Sequence, residues 1–117
     1  MTAGEQTIVD DAAAHRFEVR IDGAVAGYAE YRRRGGAVAF THTVVEQAFE
    51  GRGLGSALAR GALDAVRAEG SAVLPFCPFI RSWIQRHPEY TDLVPVDRRA
   101  SFGLPEKADG QPAEPSR

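Results

Sequence analysis

The chain has 117 residues, a mass of 12.6 kDa and a sequence pI near 5.9, the size of one small domain with little core to spare. A hydrophobic fraction of 44% is too high for a disordered chain, and a formal net charge of −2 argues against nucleic-acid binding by a general basic surface. The triplet Arg32-Arg33-Arg34 reads as a solvated hairpin end.

Three extended segments open the chain. Thr7–Asp10 is short and weakly marked. His15–Ile21 alternates, with Phe17, Val19 and Ile21 on one side, the pattern of a half-buried strand. Asp22-Gly23 is a hairpin turn signal, and a strand over about Ala24–Arg32 follows it. Arg34-Gly35-Gly36 marks another turn before a strand at Ala37–Val45, so these segments are expected to form an antiparallel meander. The period then changes. Leu54, Ala57, Leu58, Gly61, Ala62, Ala65 and Val66 recur at helical spacing, with a start near Gly53 and a stop at Gly70. Ser71–Phe76 reads as a short buried strand. Pro78 suits the first turn of a second helix, Pro78–Arg86, and Pro88 marks its end. From Pro95 onward proline and charge dominate. The domain is therefore expected to span 1–95, with a flexible tail over 96–117. The order strands, helix, strand, helix predicts an α+β, or mixed α/β, domain.

Cys77 is the single cysteine, so no intramolecular disulfide is possible, which fits a reducing compartment. No apolar run approaches the ~20 residues that span a bilayer. Met1–Glu5 carries neither a basic nor an apolar leader region. The protein is expected to be cytoplasmic, with no membrane or nucleic-acid partner and no metal; the sequence is silent on oligomeric state.

The most informative stretch is Phe49-Glu50-Gly51-Arg52-Gly53-Leu54-Gly55-Ser56, between a predicted strand and a predicted helix. Alternate glycines let backbone approach a ligand closely, and the helix start presents unpaired N–H groups at its positive end. Together these suit a pyrophosphate. A mononucleotide-type loop needs Gly-x-x-x-x-Gly-Lys-Ser/Thr, and no such lysine is present. The dinucleotide pattern Gly-x-Gly-x-x-Gly would need a glycine at Ser56.

The loop resembles the phosphate-binding motif of the GNAT superfamily of N-acetyltransferases, Gln/Arg-x-x-Gly-x-Gly/Ala, with Glu50 where Gln or Arg is usual. Thr41-His42-Thr43-Val44-Val45, the run Val73–Ile80 with its Cys77-Pro78 step, and His87-Pro88-Glu89-Tyr90 are similar to a compact GNAT subfamily. The resemblance covers roughly Thr7–Val94. It implies a minimal GNAT-like fold in which the strand before the loop splays from the next strand, so that the pantetheine arm of acetyl-CoA enters between them. It assigns Val44 and Val45 to the arm, and Gly51, Arg52, Gly53, Gly55 and Ser56 to the pyrophosphate.

Acetyl transfer to an amine needs a neutral amine, a place for the developing oxyanion and a proton for the departing thiolate. His42, His87 and Glu46 are candidate bases, whereas His15 lies far in sequence from the loop. Tyr90 is a candidate proton donor, with packing as its competing role. Cys77, between a strand end and a helix start, is a candidate nucleophile, with a buried core thiol as the competing reading. Trp83, with Ile80 and Ile84, forms the core stripe of the second helix. Two functions are expected to compete: an acetyl-CoA-dependent N-acetyltransferase acting on a small-molecule or protein amine, and a non-catalytic acyl-CoA-binding or protein-interaction module.

Overall fold

A computed structural model describes residues 5–49 and 51–106. Five strands, β1 (Gln6–Asp11), β2 (Arg16–Ile21), β3 (Ala24–Arg34), β4 (Ala37–Val45) and β5 (Ala72–Pro75), form one sheet in the order β1-β2-β3-β4-β5. The first three pairings are antiparallel, as the meander expectation required. β5 joins β4 in parallel, after the crossover helix α1 (Leu54–Glu69). Helix α2 (Pro78–Arg86) follows β5 directly, and the short α3 (Val96–Arg99) comes after a 3₁₀ run at Pro88–Leu93.

The turns are where local chemistry dictates them. Asp22 and Gly23 have φ of 51° and 86°, the left-handed pair that a two-residue hairpin needs. His15 differs from its expected place in β2. It sits at φ 56° as the end of a 3₁₀ turn, Ala12–Ala14, whose start is capped by Asp11.

One face of the sheet is covered by α1. Phe17, Val19, Tyr31, Val38 and Phe40 are buried there with Leu58, Leu63 and Val66, each such side chain contributing roughly 1.5–3 kcal/mol. Phe17, Tyr31 and Phe40 form a ring trio with centroids 5.2–6.3 Å apart. Gly61 lets the helix close on β1, because a Cβ there would lie 2.7 Å from Ile8 Cγ1. On the opposite face Glu18 is buried between Arg16 and Arg20, which bond it at 2.8 and 2.6 Å. Burial pushes its carboxyl up, but hydrogen bonds from Arg20 and Arg16 outweigh this and hold it below the usual range.

The expected boundary at 95/96 is a correction. Val94, Phe102 and Leu104 are all buried in the core. Arg99 is buried too and donates from Nε to the Val94 carbonyl at 2.7 Å and from a terminal nitrogen to the Glu106 carbonyl. Gln85 holds the Phe102 carbonyl at 3.1 Å. Composition over this stretch is polar, and it hid two apolar anchors. The ordered packing therefore runs through 96–106; the rest of the expected tail, 107–117, lies outside the described residues.

Candidate active site

The site is built where β4 and β5 part. Their pairing runs from Ala37↔Ala72 to Phe40↔Pro75 and stops. Pro75 has no N–H to donate, and the Phe76 N–H turns back to the Leu74 carbonyl at 3.0 Å. A last link, Cys77 N–H to the Phe40 carbonyl at 2.8 Å, carries the chain into α2. Beyond it, Thr43, Val44 and Val45 are paired to β3 on one side, with no β5 partner on the other. Gly27 permits this stretch of β4 to lie close to β3, since a Cβ at Gly27 would sit 2.7 Å from the Val44 carbonyl oxygen.

A bulge adjusts which side chains face the cleft. Tyr31 pairs with Phe40 and Glu30 with His42, so Thr41 is an extra residue on β4. The extra residue reverses the alternation. Thr43 and Val45, opposite Ala29 and Gly27, share the face of Phe40, while His42 and Val44, opposite Glu30 and Tyr28, take the other face.

The start of α1 lies at the same end of the molecule. Gly51 and Gly53 have φ of 87° and 72°, and a Cβ at either would meet nothing within 4 Å. The first helical bond is Ala57 N–H to the Gly53 carbonyl at 3.2 Å, which leaves the N–H groups of Leu54, Gly55 and Ser56 without intrahelical acceptors. Gly53 supplies no capping side chain, and the first turn of α1 contains no acid. The result is a positive, donor-rich helix end. Arg52 is exposed, with its guanidinium 5.3 Å from the Phe49 ring centre. Gly55 also has a packing role: a Cβ there would lie 2.9 Å from Phe79 Cζ, so the bare backbone seats α2 against α1. Glu50 lies outside the described residues.

Cys77 is the N-terminal flanking residue of α2, two residues before Phe79. It is 2% exposed, and its Sγ lies 3.1 Å from Thr43 Oγ1 on the diverging strand. The sequence-derived candidates do not form one cluster with it. His42 is exposed on the other face of β4. Glu46 is exposed just past β4, its N–H bonded to the Ala26 carbonyl. His87 closes the far end of α2, about 15 Å of helix from Cys77. There its ring stacks on Trp83 at 3.8 Å, and Nδ1 lies 2.8 Å from the Trp83 carbonyl oxygen. Tyr90 is buried and donates to Asp64 at 2.7 Å; burial and the Asp64 carboxylate raise its pKa. Both therefore serve packing and hydrogen bonding. Thr43, which does meet Cys77, carried no role in the sequence reading; only the bulge brings it there, and period-two alternation does not reveal a bulge.

A polar cavity of about 450 Å³ adjoins the bulge, between His15, Glu30, Arg32 and Thr41. Among the described residues no group of three or more His, Cys, Asp or Glu is placed to hold a metal ion. No helix among them is long and apolar enough to cross a membrane.

A parallel strand pair that opens beside a glycine-rich helix start, within a mixed five-stranded sheet, defines an acetyltransferase-type fold. The family model described as GCN5-related N-acetyl-transferase matches residues 16–93, and the chain belongs to that family. A solved structure agrees on the fold: a GCN5-like candidate N-acetyltransferase from Staphylococcus aureus aligns with a TM-score of 0.59 at 18% identity, covering 81% of this chain and 91% of that one. No curated protein matches the chain.

Proposed function

We propose that this chain is an acetyl-CoA-dependent N-acetyltransferase acting on an amine. The observation that carries the reading is the convergence, at one end of the sheet, of an unpaired β4 edge, a donor-rich helix start and the Cys77 sulfur. The residues fit the cofactor. Val45, between Val44 and Glu46 whose backbone groups face β3, turns its own N–H and C=O outward, where they would meet a pantetheine arm. The Gly51–Ser56 backbone, with open space at both positive-φ glycines and the Arg52 cation, suits a pyrophosphate.

When bound, acetyl-CoA would supply an activated thioester carbonyl. Cys77 acts as nucleophile in this proposal. Its sulfur would take the acetyl group, a new C–S bond forming as the original thioester C–S bond breaks and the Cys77 proton passing to the departing thiolate. The acceptor amine then forms a C–N bond as the C–S bond to Cys77 breaks, and an amine proton returns to the sulfur. His42 and Glu30 lie opposite each other on the other face of β4 from Cys77, so neither stands beside the sulfur, and the acceptor amine is taken to reach Cys77 already neutral.

Two measurements test this. Release of free CoA thiol should depend on added amine. Incubation with acetyl-CoA alone should leave a hydroxylamine-sensitive acetyl mass on Cys77. Near-wild-type turnover by Cys77→Ala would overturn the nucleophile role and favour direct attack by the amine. A second reading, a binding module without turnover, is favoured by one observation: His87 and Tyr90 are committed to packing, so few acid–base groups remain at the cleft. Acetyl-CoA binding with no thiol release across a broad amine panel would support it.

A further inference from the structure

We propose that Thr43 is the positioning residue for Cys77, its hydroxyl holding the sulfur at the mouth where β4 and β5 diverge. The inference rests on the reading of Cys77 as the reacting thiol and adds how that thiol is held. Thr43 Oγ1 lies 3.1 Å from Cys77 Sγ and is the only hydrogen-bond partner of that sulfur among the described residues. The contact adds a side-chain link beyond the last backbone tie between the two elements, Cys77 N–H to the Phe40 carbonyl, because regular β4–β5 pairing ended at Phe40↔Pro75.

Three features make Thr43 suited to this task. Its backbone is paired to Ala29 of β3, so the side chain starts from a fixed strand. Its branched β-carbon restricts χ1, and the hydroxyl has few alternative directions. Its hydroxyl is chemically two-way: it can accept from a thiol S–H and can donate to a thiolate. The contact therefore survives a change of charge on the sulfur of a residue that is only 2% exposed, where water offers little compensation. The bulge at Thr41 is part of the device. Without that extra residue the alternation would turn His42 toward the face of Phe40 and turn Thr43 away.

The single cysteine makes a direct readout possible, because the protein has one S–H stretching band in its Raman spectrum. Thr43→Val keeps the branched shape and removes the hydroxyl; Thr43→Ser keeps the hydroxyl and removes the branch. Thr43→Val should shift the S–H band to the position of an unbonded thiol and slow acetylation of Cys77 by acetyl-CoA about tenfold, the size expected for losing one hydrogen bond to a charged group. Thr43→Ser should keep the wild-type band and most of the rate. An unshifted band in Thr43→Val, or equal loss in both variants, would overturn the proposal. The Raman measurement is made without acetyl-CoA. Failure of wild-type Cys77 to take an acetyl group therefore sinks the nucleophile reading alone, while the band still decides whether Thr43 holds the sulfur.

Discussion

The two ends of α1 are built on opposite principles. At its start, three backbone N–H groups lack intrahelical acceptors, two left-handed glycines face open space, and the first turn itself holds no acid and no capping side chain among the described residues. From Arg60 onward its polar groups have partners. Arg67 donates to both Asp92 oxygens, at 2.8 and 3.0 Å, and to the Glu89 carbonyl. Tyr90 donates to Asp64, Arg60 lies over the Trp83 ring, and Gly70 closes the helix in a left-handed turn. The comparison separates residues by what they have left to give. Groups already bonded in the free protein stabilise the fold, and the unpaired donors are those available to a ligand. His87 and Tyr90 are chemically able residues, but they stand at the satisfied end.

The largest expected effects strike the packed end. Trp83→Ala should cost about 3–5 kcal/mol in denaturant unfolding, since the ring is fully buried between His87 and Tyr90. Phe102→Ala should cost a similar ~3 kcal/mol, and truncation before Phe102 should destabilise the domain. An unchanged midpoint in either case would mean that 96–106 does not pack as described. At the open end, acetyl-CoA at 100 times its Kd should stabilise the parent by about 2.7 kcal/mol in a thermal-shift measurement. Gly53→Val should abolish that gain, because a branched side chain at φ 72° is strained and fills the space left for phosphate. Its intrinsic fold should survive with a loss of roughly 1–2 kcal/mol. A full ligand shift in Gly53→Val would remove the helix start from the site.

Tyr90→Phe sharpens the contrast. It should cost about 1 kcal/mol, through the lost bond to Asp64, and leave acetyl-CoA affinity unchanged. The smallest effect is a pH dependence. The hydrogen bond from Arg67 holds the Asp92 carboxyl below its usual value, against a smaller opposing effect of burial. A carboxyl lowered on folding adds stability that is complete above its unfolded value near pH 4 and is lost as pH falls through the lower folded value. Asp92→Asn should flatten that part of the acid-unfolding profile. The two side chains are 42% and 35% exposed, so the change should be modest.

Much of this was legible in the sequence. Strand alternation at Phe17 and Val19, the Asp22-Gly23 turn, the helical stripe from Leu54 to Val66 and Gly70 as its stop are local signals, and the structure carries each of them. The glycine loop was legible as a helix start, because left-handed positions before a helix favour glycine. What stayed hidden was non-local. Stacking of His87 on Trp83 depends on how α2 ends, and its residue type alone points equally to catalysis. The anchors Phe102 and Leu104 are diluted by charged neighbours. The parting of the two strands was implied by the family resemblance, but the Thr43–Cys77 contact also depends on a bulge one residue wide, which has no pattern in the chain.

The central claim is that the unpaired β4 edge and the start of α1 together form the acyl-CoA site. Backbone amide NMR during an acetyl-CoA titration tests it most directly. The account predicts saturable shifts at Thr43, Val44 and Val45 and at Gly51–Ser56, with Arg67, Tyr90 and Asp92 unmoved. Shifts confined to the cavity around His15 and Arg32, or no saturable shifts at millimolar ligand, would contradict it.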